Sequence, residues 1–451
     1  MVIQLQYRAE AEVTPAELPL SKSIALRVLT LNSVAEALGL SPAGIPALPD
    51  AEDVEGMQRA REAYAAQLAL LSGGAEVADP HMVHIGEGGA PLRFFTALAA
   101  STPGIDLSIS TGRSLMRRPL MLLLEALREA GAEIHCERKE GYPPLRILGR
   151  RLAPESLGLN PGVSSQFVSA LMMASPLWQH GLHLHFDGAA PVSAPYIAMT
   201  AEIMRRFGAE VEWDEREVRV APGKLQPPAE YCVETDWSAA SYFYELAILL
   251  PGHDIPLARL TPPDGSLQGD ARCAEIFSLL GVTTTLKPDG SAVLRCDPRL
   301  LDLFRDSLHP LELDMNATPD LVPALAVGFC LAGIRFRFSG VGHLKHKETD
   351  RMLALSTELS KLGYMLDTTP DTMAWLGARC PAGDNESIAT YSDHRMAMAF
   401  APAAAKLPYI AIEDPGVVGK SFPGYWRALE GLGFEIRTFK PRGPEWLKGN
   451  K

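Results

Sequence analysis

The tripeptide Gly-Ala-Glu recurs three times in the first half of this chain, each time where a helical pattern gives way to β-branched residues. The instances are Gly74-Ala75-Glu76-Val77, Gly131-Ala132-Glu133-Ile134 and Gly208-Ala209-Glu210-Val211. Looser versions follow at Gly281-Val282-Thr283, Gly363-Tyr364-Met365 and Gly433-Phe434-Glu435-Ile436. Each carries the same physics: a helix stops on a glycine that tolerates left-handed backbone, and the chain turns back as a strand. One such junction is ordinary in any α/β protein. Six of them, split three and three, constrain the chain to two similar domains of repeated helix–strand modules.

The helix starts show a second pattern. Ser21-Lys22-Ser23 precedes a helical run from Ile24, and Gly86-Glu87-Gly88-Gly89-Ala90 leads into Pro91, read as the first helical position. Thr111–Arg118 leads into Pro119 and a leucine-rich helix, while Ser164-Ser165-Gln166-Phe167 offers hydroxyls for capping the helix Val168–Ala174. Tyr391-Ser392-Asp393-His394-Arg395 opens Met396–Lys406, and Lys420-Ser421-Phe422-Pro423 opens the last helix. Free N–H groups at helix starts bind phosphate and carboxylate. Singly, each motif has a plain reading as a cap, a turn or a surface charge. The glycine loop lacks the Gly-Lys-Ser/Thr ending of a nucleotide loop, and no serine or cysteine elbow serves Asp393-His394. Jointly, they point to one polyanionic site shared by both halves.

The densest stretch is Lys345-His346-Lys347-Glu348-Thr349-Asp350-Arg351. Apolar residues at 352, 355, 359 and 362 then follow a helical period up to Gly363. On that pattern Lys347 and Arg351 crowd a helix N-terminus as an i, i+4 pair of like charge, which an anion would offset. Glu348 between them is a candidate for proton chemistry; the alternative is a solvated charged turn.

Net charge is −12, from 42 basic and 54 acidic residues, which argues against a nucleic-acid partner and leaves anion binding to a local basic site. The six cysteines are scattered without CxxC spacing, so reduced thiols and a cytoplasmic setting are expected. Met1–Glu12 alternates like a strand, against a signal peptide. The most apolar stretch, Leu321–Ile334, is too short to span a bilayer. With no compact His/Cys cluster, no metal and no cofactor are expected.

These residues, taken in order, resemble the enolpyruvyl transferase family, in particular the branch acting on shikimate-3-phosphate. The resemblance rests on Ser21-Lys22-Ser23 with Arg27, Arg118-Pro119, Ser164–Phe167, Pro195-Tyr196-Ile197, Asp236 with Ser238–Phe243, and Gln268-Gly269-Asp270. It continues through Asp314-Met315-Asn316, Pro319-Asp320, Lys347–Arg351, Asp393–Met398 and Lys420–Pro423. It implies two α/β domains, each of three βαβαββ units (an inside-out α/β barrel), closing on substrate with the active site in the cleft between them. The expected boundaries are 21–235 for the first domain, with 1–20 and 236–451 forming the second.

The activity implied is transfer of the carboxyvinyl group of phosphoenolpyruvate to the 5-hydroxyl of shikimate-3-phosphate by a monomer. The resemblance assigns Lys22, Gly89, Arg118, Gln166, Arg351, Arg395 and Lys420 to phosphoenolpyruvate. It assigns Lys22, Ser23, Arg27, Ser164, Ser165, Gln166, Ser193, Tyr196, Asp320, His343 and Lys347 to shikimate-3-phosphate. Asp320 is the implied base, Glu348 the acid, and Lys22 an aid to phosphate departure. Departures from the family pattern are Leu20 for glycine, Glu87-Gly88 for asparagine-alanine, Ala90 for threonine and His343 for asparagine. Those around Gly89 imply a reshaped loop and altered sensitivity to glyphosate, the family's inhibitor. Two rivals are the sister transferase acting on UDP-N-acetylglucosamine and a non-catalytic paralogue that binds small phosphorylated acids. The sister usually carries a cysteine in the loop matching Thr111–Met116, absent here, and a dead paralogue would lack Asp320, Glu348 or Lys22.

Overall fold

A computed structural model describes residues 1–439 except 76, 78–79, 114, 161–163, 189–190 and 384–385. Glu76 of the first Gly-Ala-Glu and Ser114 of the Thr111–Arg118 loop thus lie outside the described residues. The chain divides into two compact units, one from Leu20 to Glu234 and one combining Met1–Pro19 with the chain from Thr235 onward.

One module recurs. In the unit Leu20–Glu234 it runs strand His81–His84, helix Gly89–Ala100, strand Asp106–Ser110, helix Met121–Glu129, then strands Glu133–Cys136 and Leu145–Leu148. The four strands lie in the order first, second, fourth, third; the first two are parallel and the rest antiparallel. Strands Leu157–Leu159, Leu182–Phe186, Val211–Trp213 and Glu217–Val220, with helices Ser165–Ala174 and Ala194–Arg206, repeat that order and sense. So do strands Leu311–Asp314, Phe336–Ser339, Asp367–Thr368 and Thr372–Trp375 of the other unit. This is βαβαββ.

Two modules of that other unit are completed from a distance in sequence. Ala16 bridges in parallel to Leu257, beside the strands Asp254–Leu257, Val282–Leu286 and Ala292–Cys296. The N-terminal strand Val2–Tyr7 lies between Ile410–Glu413 and Phe434–Phe439, antiparallel to both. The module holding helices Lys22–Ala37 and Glu52–Ser72 shows, among the described residues, only the bridge Gly44–Glu230 in place of a sheet.

All six junction glycines take positive φ, from Gly74 at 74° to Gly131 at 105°. An L side chain there would sit in the left-handed region, which explains glycine as the stop.

In each unit three helices form the centre. Lys22–Ala37, Gly89–Ala100 and Ser165–Ala174 pack on one another in one; Val322–Ala332 packs against Trp237–Leu249 and His394–Phe400 in the other. These helices are buried nearly all round, with almost no solvent face. Val322–Ala332 is buried at every residue except Leu331. The sheets alternate instead: Leu182 and Leu184 face inward and are buried, while His183 and His185 point out.

Several helix boundaries differ from the sequence reading. Pro91 is the third residue of its helix, which starts at Gly89. The helix expected over Met396–Lys406 is His394–Phe400 followed by a 3-10 turn Ala401–Ala405, because Pro402 cannot continue the ladder. Lys420 ends the 3-10 turn Pro415–Lys420, and the last helix is Tyr425–Gly431. Among the described residues no helix is long and apolar enough to cross a membrane, and the six cysteines are unpaired thiols.

Candidate active site

In the unit Leu20–Glu234, Lys22, Gly89, Ser164 and Ser165 stand at the starts of the central helices. Lys22 is the first residue of its helix, where a cation opposes the positive dipole end. Asp53 offsets it, with Oδ2 lying 2.8 Å from Lys22 Nζ. Gly89 opens the second central helix, and a Cβ there would stand 2.5 Å from Arg93 Nη1 and 3.0 Å from Arg118 Nη1. The absent side chain is what lets two guanidiniums approach this helix start. Arg93 is buried over the Phe167 ring and donates from Nη1 to Gln166 Oε1 at 2.8 Å. Lys22 with Asp53 and Arg93 with Gln166 therefore anchor two neighbouring helix starts.

Ser164 caps the third central helix, its Oγ accepting from the Gln166 amide at 3.3 Å, and Ser165 follows as the first, buried, helical residue. Ser193 takes left-handed backbone, φ 57°, before the helix that carries Tyr196. Arg27 lies within the first central helix. It is buried and donates to Thr200 Oγ1 at 2.7 Å, Ser169 Oγ at 3.2 Å and the carbonyls of Ser23 and Tyr196. Burial pulls its guanidinium down to about 10, and the nearby Tyr196 hydroxyl opposes that. Here Arg27 ties Ser23 and Tyr196 together.

The Gly86–Gly89 loop is tethered by Glu87, whose Oε2 accepts from the Leu115 amide at 3.1 Å. Gly112, whose own amide donates to the Gly86 carbonyl, gives that carboxylate room: a Cβ at 112 would stand 2.1 Å from Glu87 Oε1.

In the other unit the cluster centres on Arg351, the first residue of the helix Arg351–Lys361 and only 1% exposed. Its Nη1 meets Asp320 Oδ1 at 2.8 Å, its Nη2 meets Glu348 Oε2 at 2.7 Å and its Nε meets Asp393 Oδ2 at 2.7 Å. Burial alone would lower this guanidinium, yet Asp393, Glu348 and Asp320 together hold it above the ordinary arginine value. Asp320, in the turn before Val322–Ala332, also takes Arg395 Nη2 on Oδ2 at 2.9 Å and has Lys347 Nζ 3.6 Å from Oδ1. Burial lowers the Lys347 ammonium, against the pull of Asp320. His343 is pushed down to about 4 by burial and by Lys347, so its imidazole is neutral. Lys420 donates to the Ser392 carbonyl at 2.8 Å. His346 is exposed.

This geometry corrects the sequence reading of 345–351. Lys347 lies in the bend before the helix, and Asp350 caps it by accepting from the Leu353 amide at 3.1 Å. The like-charge pair is thus not on one helix, and its cations meet Asp320, Glu348 and Asp393, acids of the protein itself. Sequence reasoning missed Asp53 and Asp393 as partners. The only signal was an acid at a helix start, which is also the commonest cap. It gave no role to Asp270, whose buried carboxyl is raised to about 7 by burial and then by Asp320, and which accepts from Ser238 Oγ.

The folded chain defines a class. It superposes on an EPSP synthase from Acinetobacter baumannii with a TM-score of 0.71, covering 97% of this chain and 100% of that one at 19% identity. An enolpyruvyl transferase from Streptomyces tendae gives 0.66 over 98% and 99% at 14% identity. The fold is that of the enolpyruvyl transferases. Within that class, the chain belongs to the EPSP synthase (3-phosphoshikimate 1-carboxyvinyltransferase) family, whose model matches residues 5–429. A 3-phosphoshikimate 1-carboxyvinyltransferase from Bacteroides fragilis is 41% identical over 432 residues, 94% of this chain and 96% of that protein. One from Methanospirillum hungatei is 34% identical over 79% and 80%. The chain is accordingly an enzyme, a transferase of the shikimate pathway.

Proposed function

We infer that this chain transfers the enolpyruvyl group of phosphoenolpyruvate to the 5-hydroxyl of shikimate-3-phosphate and releases phosphate. The observation that carries the reading is the Asp320 carboxylate fixed among Lys347, Arg351 and Arg395, with Glu348 on the same Arg351. In the addition step Asp320 takes the 5-hydroxyl proton as that oxygen bonds to the enol carbon, and Glu348 protonates the methylene carbon. The tetrahedral ketal then loses a methyl proton and expels phosphate, restoring the double bond, with Lys22 assisting the leaving group. Arg118, Arg351, Arg395 and Lys420 supply fixed positive charge to the donor, with Gln166 and the Gly89 amide beside it. Ser23, Arg27, Ser164, Ser165, Ser193, Tyr196, His343 and Lys347 hold shikimate-3-phosphate, and Arg27 also braces Ser23 and Tyr196.

The reading takes 21–235 as one domain and 1–20 with 236–451 as the other, both groups of residues acting on one substrate pair. The reading includes a cytoplasmic monomer without cofactor or nucleic-acid partner; unpaired thiols support the compartment, and net charge −12 speaks against nucleic acid. Phosphate release from phosphoenolpyruvate, with and without shikimate-3-phosphate, tests the activity. Release that does not depend on shikimate-3-phosphate would overturn it.

A further inference from the structure

We propose that His183, His185 and Glu217 form a binding site for a divalent ion of the zinc class on the outer face of the sheet that contains them. Strand period places His183 and His185 on one face, because Leu182 and Leu184 between and beside them are buried on the other. Antiparallel register sets Glu217 opposite His185 and Arg219 opposite His183. One carboxylate oxygen faces both rings: Glu217 Oε2 lies 3.0 Å from His183 Nε2 and 3.7 Å from His185 Nδ1. All three donor atoms lie within 4.8 Å of one another. Around a tetrahedral zinc ion, bonds of about 2.0–2.1 Å put neighbouring donors about 3.3 Å apart. The separations of 3.0 and 3.7 Å bracket that edge.

The surroundings fit a ligand set better than ordinary cross-strand pairing. Arg219 Nε donates to the other oxygen, Glu217 Oε1, at 2.8 Å, and its Nη2 reaches Oε2 at 3.1 Å. Coordination through Oε2 leaves the Oε1 bond in place as the outer partner that orients a ligating carboxylate. A pairing of Glu217 with Arg219 explains the carboxylate, but not two imidazoles turned to the same oxygen with ring centroids 4.0 Å apart. Two imidazole nitrogens and a carboxylate oxygen suit a borderline cation such as Zn²⁺, Co²⁺ or Ni²⁺ over Mg²⁺ or Ca²⁺. Three protein donors leave a fourth position to water, and the ion would clamp the strand Leu182–Phe186 to Glu217–Val220. The sequence reading expects no metal because it looks for compact spacing, and only strand register brings Glu217 to the histidine pair.

The test uses the full chain without a histidine tag. Zinc is titrated calorimetrically, cobalt(II) is followed by its visible spectrum, and melting temperature is recorded with zinc and with magnesium. The wild type is expected to take one equivalent of zinc and to melt higher with zinc but not magnesium. His183→Ala, His185→Ala and Glu217→Gln should each weaken zinc binding at least about tenfold. All three side chains point outward, so the variants keep the buried face; Glu217→Gln retains even the shape. No zinc binding at millimolar concentration, binding unchanged in the three variants, or an equal response to magnesium would each overturn the proposal.

Discussion

Arg351 and Asp320 meet at 2.8 Å through Nη1 and Oδ1, and the guanidinium making that contact is 1% exposed. With Nε and Nη2 committed to Asp393 and Glu348, one side chain fixes three acids. Lysine has one charged atom and cannot span them. Arg351→Met takes a shared buried partner from three carboxylates, at a cost on the order of 3–5 kcal/mol, the range for breaking a buried pair. Urea unfolding should show that loss, and Arg351→Lys should also lose activity. A Lys variant with wild-type turnover would remove Arg351 from the centre of the site.

Asp320→Ala and Glu348→Gln separate the two proton roles. Each is expected to reduce phosphate release by roughly 10²–10⁴, the usual contribution of a positioned acid or base. Shikimate-3-phosphate affinity should change far less in Glu348→Gln than its turnover. Full activity in both variants would sink the acid–base assignment.

Gly89→Ala tests the close approach at the second central helix. The added Cβ meets Arg93 Nη1 at 2.5 Å and Arg118 Nη1 at 3.0 Å, both at the ends of flexible side chains. The fold should survive with nearly unchanged melting temperature. The KM for phosphoenolpyruvate should rise severalfold, because the guanidiniums must move. Unaltered KM and kcat would show that neither arginine position matters to the donor.

Glu87→Ala cuts the tether from the glycine loop to the Leu115 amide, 3.1 Å in the wild type. The loop beside Gly89 is then free to shift, and the glyphosate inhibition constant is expected to shift with it, measured against phosphoenolpyruvate. An unchanged constant would separate this loop from inhibitor binding.

Glu245 provides a pH prediction. It is fully buried in the helix Trp237–Leu249, packed on Gly328, and among the described residues neither carboxyl oxygen has a hydrogen-bond partner. Burial holds its pKa well above the ordinary carboxylate value, so the folded state favours the protonated form. The associated stability is fully present below the ordinary value and is lost as pH rises through the folded one. Glu245→Gln should therefore match wild type in acid and exceed it increasingly at higher pH, read from urea midpoints across pH. Parallel curves at all pH values would contradict the burial of a protonated acid.

The six glycine junctions were legible because their signal is local: a helix must end, and only glycine accepts the left-handed turn without strain. Gly281 and Gly363, with φ of 87° and 86°, show that even the looser second-half versions carried it. The central helices were legible from their apolar runs, although proline moved the end of His394–Phe400. Lys347 and Arg351 were misread as one helix face because Asp350, a cap, looks in sequence like one more charge.

By itself, then, the sequence determined the repeat, the helix stops and which residue types stand at the helix starts, since each depends on neighbours a few positions away. Only the tertiary structure decided the partners: Asp53 for Lys22, Asp320 and Asp393 for Arg351, and Glu217 for His183 and His185. The reason is physical. Charge pairing depends on distance through space, and helix packing and strand register, not position along the chain, set that distance.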